Sequence, residues 1–147
     1  MVKTTILKMK VLKAKKLPES KRLSRKFLKI HKKKFSVNDT ILVNEEHDKS
    51  AVATIEKIYW NFDEEIGQIK IRWFYKPKDI PGLKKVHARE LFDSNLRQEI
   101  DMEMVKGKAK VLKLEDFLKE NDKNAYFTRS FYDATTKKIE GDTTPIS

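Results

Sequence analysis

From Phe35 onward apolar residues recur at every second position, and that period constrains the fold more than any other feature of the chain. It runs through "DTILV" (39–43), "AVATIEKIYW" (51–60), "GQIKIRWFY" (67–75), "ARELFD" (88–93) and "GKAKVLKL" (107–114). Strand side chains alternate between faces, so a period of two predicts β-strands rather than helices. β-Branched and aromatic residues fill these segments, and polar or Gly/Asn/Asp-containing turns separate most of them. "AYFTRSFYD" (125–133) predicts a last strand and "LEDFLKEN" (114–121) one short helix. Short strands this closely spaced predict a mainly β fold, a small antiparallel β-barrel-like domain or sandwich with short helices. A chain of 147 residues suits one such domain, burying roughly two-thirds of its unfolded surface. The expected organisation is a basic arm over 1–34, the β domain over 35–135, and a tail over 136–147. "KKIEGDTTPIS" in that tail has no apolar periodicity and is expected to fray.

The net charge of +11 is unevenly spread. Residues 1–34 hold 14 Lys and Arg against one acid, Glu19, while the rest holds 19 bases against 21 acids. A near-neutral domain with a basic arm suits a polyanionic partner. Within the arm, "SKRLSRKFLKIHKKK" sets Leu23, Phe27 and Ile30 at i, i+4 and i+7. That spacing predicts a partly helical arm with Ser20 as N-cap. The candidate nucleic-acid-binding residues are Lys15, Lys16, Lys21, Arg22, Arg25, Lys26, Lys32, Lys33 and Lys34. Charge clustering also fits a bipartite nuclear localisation signal ("KAKKLPESKRLSRK"), a solvated tail, or a helix docked through its apolar stripe.

Several chemistries find no residues to carry them. There is no run of ~18 apolar residues and no cleavable signal, so no membrane role is expected. Cysteine is absent, which removes thiolate metal sites and nucleophiles and fits an intracellular, reducing compartment. His31, His47 and His87 are scattered, so no metal site is expected. Gly67, Gly82, Gly107 and Gly141 stand singly and cannot build a phosphate-cradling loop. The carboxylates Glu45/Glu46 and Asp63/Glu64/Glu65 fall in polar, turn-like stretches that suit solvated charges better than acid–base catalysis. The expectation is a binding protein, monomeric, with no enzymatic activity and no cofactor. Met1 favours an N-terminal position in its protein, and Ser147 leaves open whether more chain follows.

"WFYKP" (73–77) resembles the Trp-Phe-Tyr-Arg/Lys-Pro signature of the bromo-adjacent homology (BAH) domain, and the resemblance extends over most of 35–133. "FSVNDTILV" is similar to that family's opening strand and "AVATIEKIYW" to its Ile-Glu-Lys-Ile strand. "RELFDS" is similar to its Glu-Val/Leu-Phe-x-Ser segment, "VKGKAKVL" to its Gly-Lys-Cys-x-Val strand, and "AYFTRSFYD" to its Tyr/Phe-Phe-Cys-Arg…Tyr-Asp strand. Ala109 and Thr128 stand where the family has cysteines. The resemblance implies a chromatin protein of the nucleus without catalysis. It also implies, for some members, reading of a methylated lysine on a histone tail through an aromatic cage.

Alternation places Trp73 and Tyr75 on one face of their strand and Phe74 on the other, where Phe74 is expected to pack into the core near Ile69 or Ile71. Trp73 and Tyr75 are then two candidate cage walls, with Tyr59, Trp60 or Phe62 as a third. Asp79, Glu90, Asp93 and Ser94 are candidate tail-binding groups. Two positions depart from the reader pattern: Ala51 stands where an aromatic is usual, and Leu96 where some readers carry a histidine. The partners implied are a histone tail or nucleosome, DNA through the arm, and other proteins of a chromatin complex. Two further readings stand beside the tail reader. One is a nucleosome- or DNA-binding or scaffold module without methyl-lysine recognition. The other is a small β-barrel binding RNA or the ribosome through the same arm.

Overall fold

A computed structural model of the chain describes residues 21–44, 50–83 and 86–146. Lys15, Lys16, Ser20 and His47 lie outside these residues. In chain order the strands are β1 (Arg22–Arg25), β2 (Phe27–Ile30), β3 (Lys33–Ser36), β4 (Thr40–Asn44), β5 (Ser50–Asn61), β6 (Ile66–Trp73), β7 (Glu90–Ser94), β8 (Arg97–Asp101), β9 (Val105–Lys108), β10 (Val111–Leu112), β11 (Tyr126–Asp133) and β12 (Lys138–Gly141). A four-residue helix, α1 (Leu114–Phe117), lies between β10 and β11. It has no fully buried residue; Phe117 packs against Phe127, ring centroids 4.7 Å apart, but Leu118 beyond it is 64% exposed, so the apolar contact that holds the helix expected over 114–121 ends there.

β5 organises the larger sheet. β6 pairs antiparallel along one side of it, while the other side is shared by β4, on residues 50–54, and β1, on residues 58–61. β8 and β9 complete a six-stranded sheet in the order β8-β6-β5-β4-β9. β11 carries the smaller sheet, with β7 parallel on one side and β10 (parallel) and β12 (antiparallel) on the other. These two parallel pairings depart from the expected antiparallel domain. The two sheets are joined at Tyr75 and Phe92, which exchange backbone hydrogen bonds of 2.8 and 2.9 Å, and they do not close into a barrel.

The main core is one face of the larger sheet: Ile41, Val43, Ile55, Ile58, Ile69, Ile71, Trp73 and Ile100, with Tyr75, Phe92 and Tyr132. A second cluster of Val52, Phe74 and Leu91 fills the opposite side. Alternation through residues 73–75 therefore holds, but Phe74 is not the partner of Ile69 or Ile71. Those isoleucines share the face of Trp73 and Tyr75, because both sides of this sheet end are covered.

Two expectations about the ends are corrected. Residues 22–36 form strands, not a helix. Leu23 and Phe27 are 46% and 44% exposed while Ile30 is 4%, so the expected stripe does not share a face. What is buried instead is Leu28, Ile30 and Phe35, at strand spacing. β2 and β3 close through a two-residue turn in which His31 and Lys32 both have positive φ, 51° and 67°. Asn-Gly is the usual sequence for such a turn, and its absence hid the hairpin. Leu28 docks over Gly67, where a Cβ would collide with Leu28 Cδ1 and approach Met102 Sδ within 3.1 Å. At the other end, Lys138–Gly141 in the stretch expected to fray form β12, a strand paired with β11.

Candidate functional site

The aromatic candidates are placed by β5 and β6. Trp73 closes β6 opposite Ala53, is 0% exposed, and donates its indole N–H to Gln98 Oε1 at 3.1 Å. Tyr75 is 2% exposed and stacks at a tilt on Tyr132, ring centroids 4.7 Å apart. Burial raises the Tyr75 hydroxyl pKa above its ordinary value, with Tyr132 and Asp79 adding to the effect. Trp60 pairs with Gly67 at the other end of the same ladder; the seven residue steps from Ala53 put it roughly 20 Å from Trp73. Tyr59 pairs with Gln68 on the sheet face opposite the core, and the Arg22 guanidinium sits 4.3 Å from its ring centroid. Phe62 is 60% exposed in the turn after β5. The five candidate walls do not surround one volume.

The polar candidates brace the fold. Ser94, fully buried, donates from Oγ to the Trp73 carbonyl at 2.6 Å and accepts from Leu96 N–H at 3.2 Å. Glu90, also fully buried, accepts a two-pronged contact from Arg129 at 2.8 and 3.2 Å. That contact raises the Arg129 pKa further. Asp79 is buried in the 3₁₀ turn Pro77–Asp79. Asp93 alone reaches the surface, paired with Arg72 at 2.8 and 3.3 Å. Arg72 also holds Glu56 at 2.8 Å, and Arg97 holds the other Glu56 oxygen at 2.7 Å. Among the described residues no group of three or more His, Asp or Glu is arranged to hold a metal ion.

The basic candidates behave differently. Arg22 is the exception, buried and paired with Glu99 at 3.0 Å. Lys21 reaches Asp63 at 3.5 Å from an exposed position. Arg25, Lys26, Lys32, Lys33 and Lys34 are all exposed on β1 and the β2–β3 hairpin. The structure adds Lys29, which stands directly opposite Lys34 on the outward face. Lys29 lay inside the expected helix, and only the pairing register reveals its neighbour. Lys34 Nζ sits 4.6 Å from the ring centroid of the exposed Phe27. At the root of the hairpin, where β5 bulges between Ile55 and Lys57, a groove of about 660 Å³ is lined by Ser24, Arg25, Lys26, Ser36, Lys57 and Tyr59 among others.

The BAH domain family model matches residues 33–143, well over half of the chain. The chain belongs to the BAH family. Its BAH fold resembles that of the solved yeast Rsc2 BAH domain, with a TM-score of 0.67 at 14% identity, over 85% of this chain and 63% of that one. At that identity the likeness is one of fold, and this chain spans less than two-thirds of the length of the Rsc2 chain. A comparison with curated proteins finds no match. As a BAH domain, the chain is a chromatin-associated module.

Proposed function

We propose that this BAH domain is a non-enzymatic module of nuclear chromatin that docks on the nucleosome through its basic N-terminal surface. The observation that carries the reading is the Lys29–Lys34 pair. Two like charges directly opposite across an antiparallel ladder are destabilising, and among the described residues no acid forms an ion pair with either one. A polyanionic partner relieves that repulsion.

Methyl-lysine reading has weaker support. It needs open aromatic faces, whereas Trp73 and Tyr75 are 0% and 2% exposed and the Tyr59 ring carries Arg22. The test is titration of reconstituted nucleosome core particles, alongside histone-tail peptides with and without lysine methylation. Core-particle binding that weakens steeply with salt, with no preference for methylated peptide, is expected. Methyl-dependent peptide binding, together with salt-insensitive or absent core-particle binding, would overturn the reading in favour of a cage.

A further inference from the structure

We propose that the partner of the β2–β3 hairpin is duplex DNA, the outer face of the ribbon lying in the major groove while the groove at the hairpin root holds a flanking phosphate. This rests on the nucleosome-docking reading and names the component of the nucleosome that the surface meets.

Three observations favour DNA over an acidic protein surface. The first is the composition of the face. Between Lys21 and Asn38 there is no acid; Lys29 and Lys34 point outward from the two strands, Lys32 and Lys33 stand at the tip, and Arg25 and Lys26 precede the ribbon at its root, all of them exposed. A distributed row of point charges matches a phosphate backbone, which presents one charge about every 1.7 Å of duplex axis. A protein partner would be expected to meet a packed apolar anchor. The one large apolar side chain on this face, Phe27, lies under the Lys34 ammonium instead.

The second observation is shape. β2 and β3 are a two-stranded ribbon of four residues each, with a tight turn. Such ribbons fit the major groove of B-DNA, about 12 Å wide. Leu28, Ile30 and Phe35 fasten the inner face to the core, so the outer face is presented on a rigid support.

The third is the root of the hairpin. Its groove offers the cations Arg25, Lys26 and Lys57 together with the hydroxyls of Ser24, Ser36 and Tyr59, all capable of donating to phosphate oxygens. Glu56 is also in the groove lining, but its two oxygens are held by Arg72 at 2.8 Å and Arg97 at 2.7 Å. Its charge is thus offset within the protein. The cations are expected to contact backbone phosphates, which carry no sequence information directly, so the expected binding is indifferent to sequence.

The experiment is fluorescence anisotropy of labelled 20-base-pair duplexes of two unrelated sequences, with reconstituted core particles titrated in parallel. The wild type is compared with Lys29→Glu and with the double variant Lys29→Ala/Lys34→Ala. Four phosphate contacts would lower duplex affinity about a hundredfold between 50 and 200 mM salt. Lys29→Glu is expected to weaken duplex binding about tenfold and flatten that salt slope, while its melting temperature stays level or rises because the new carboxylate would face Lys34. The two duplexes should bind equally. Undetectable duplex binding by the wild type, or variants that bind duplex as the wild type does, would overturn the assignment. If core particles bind while naked duplex does not, nucleosome docking stands and the partner is a histone surface. If neither binds, both fall.

Discussion

The indole N–H of Trp73 donates to Gln98 Oε1 at 3.1 Å, with Trp73 fully buried and Gln98 nearly so. The most conspicuous aromatic of the chain is thereby a core residue tied to a neighbouring strand. Trp73→Ala should cost about 3–5 kcal/mol from cavity formation. Trp73→Phe keeps most of the volume but removes the donor, and should cost about 1–3 kcal/mol. Urea denaturation monitored by circular dichroism measures both. A Trp73→Ala protein as stable as the wild type that loses peptide binding would instead make this residue a ligand-facing wall.

The Glu90–Arg129 pair is a two-pronged charged contact to a fully buried carboxylate inside the smaller sheet. Arg129→Ala strands a carboxylate that is fully buried, and should cost about 3–5 kcal/mol. Glu90→Gln keeps the shape and should be milder, since the guanidinium retains contacts to Asp142 and the Thr144 carbonyl. Equal melting temperatures for the two variants would contradict this order.

Glu56 gives the fold an acid-sensitive contact. Burial alone would raise its pKa, but hydrogen bonds from Arg97 and Arg72 outweigh that and hold it below the ordinary carboxylate range. A depressed acid pKa stabilises the fold above the unfolded-state value, near pH 4, and the stabilisation is lost as pH falls through the folded-state value. Glu56→Gln should therefore lower stability at pH 7 by about 1 kcal/mol, discounted for the exposed Arg97. The difference should shrink as pH falls below the unfolded-state value and vanish once the folded-state carboxyl is protonated, as a series of urea melts would show.

Asp101 has the opposite sign. Burial, followed by the nearby charges of Glu103 and Glu64, raises its pKa, and its Oδ1 is buried without a hydrogen-bond partner. Its charged form opposes folding at neutral pH, and protonation as pH falls through the raised value removes that opposition. Asp101→Asn should stabilise the protein at pH 7 by about 0.5–1 kcal/mol, with no gain near pH 3. Thermal melts at the two pH values distinguish this from a pH-independent packing effect.

Much of the architecture was legible in the residues. Alternation in "TILV", "AVATIEKIYW" and "GQIKIRW" marks β4, β5 and β6, because a strand with one covered face needs an apolar residue at every second position. β8 carries no such mark: in "RQEID" only Gln98 and Ile100 point inward, and one of them is polar. The hairpin was hidden because Leu23, Phe27 and Ile30 fit a helical period by position, while the decisive contacts, β1 on β5 and Leu28 over Gly67, join residues more than thirty positions apart.

The candidate site divides along the same line. Residue order alone established the β class, the basic character of the N-terminal region and the motifs of a BAH domain, since composition, period and spacing are properties of the chain itself. That Trp73 and Tyr75 share a face was also readable from alternation. Whether that face meets water or the interior was not, because exposure depends on what the rest of the chain lays over it: Ser94, Gln98 and Tyr132 arrive from other strands and cover it. Tertiary structure likewise set Lys29 against Lys34, turning a run of positive residues into a patterned surface through a register that no local signal encoded.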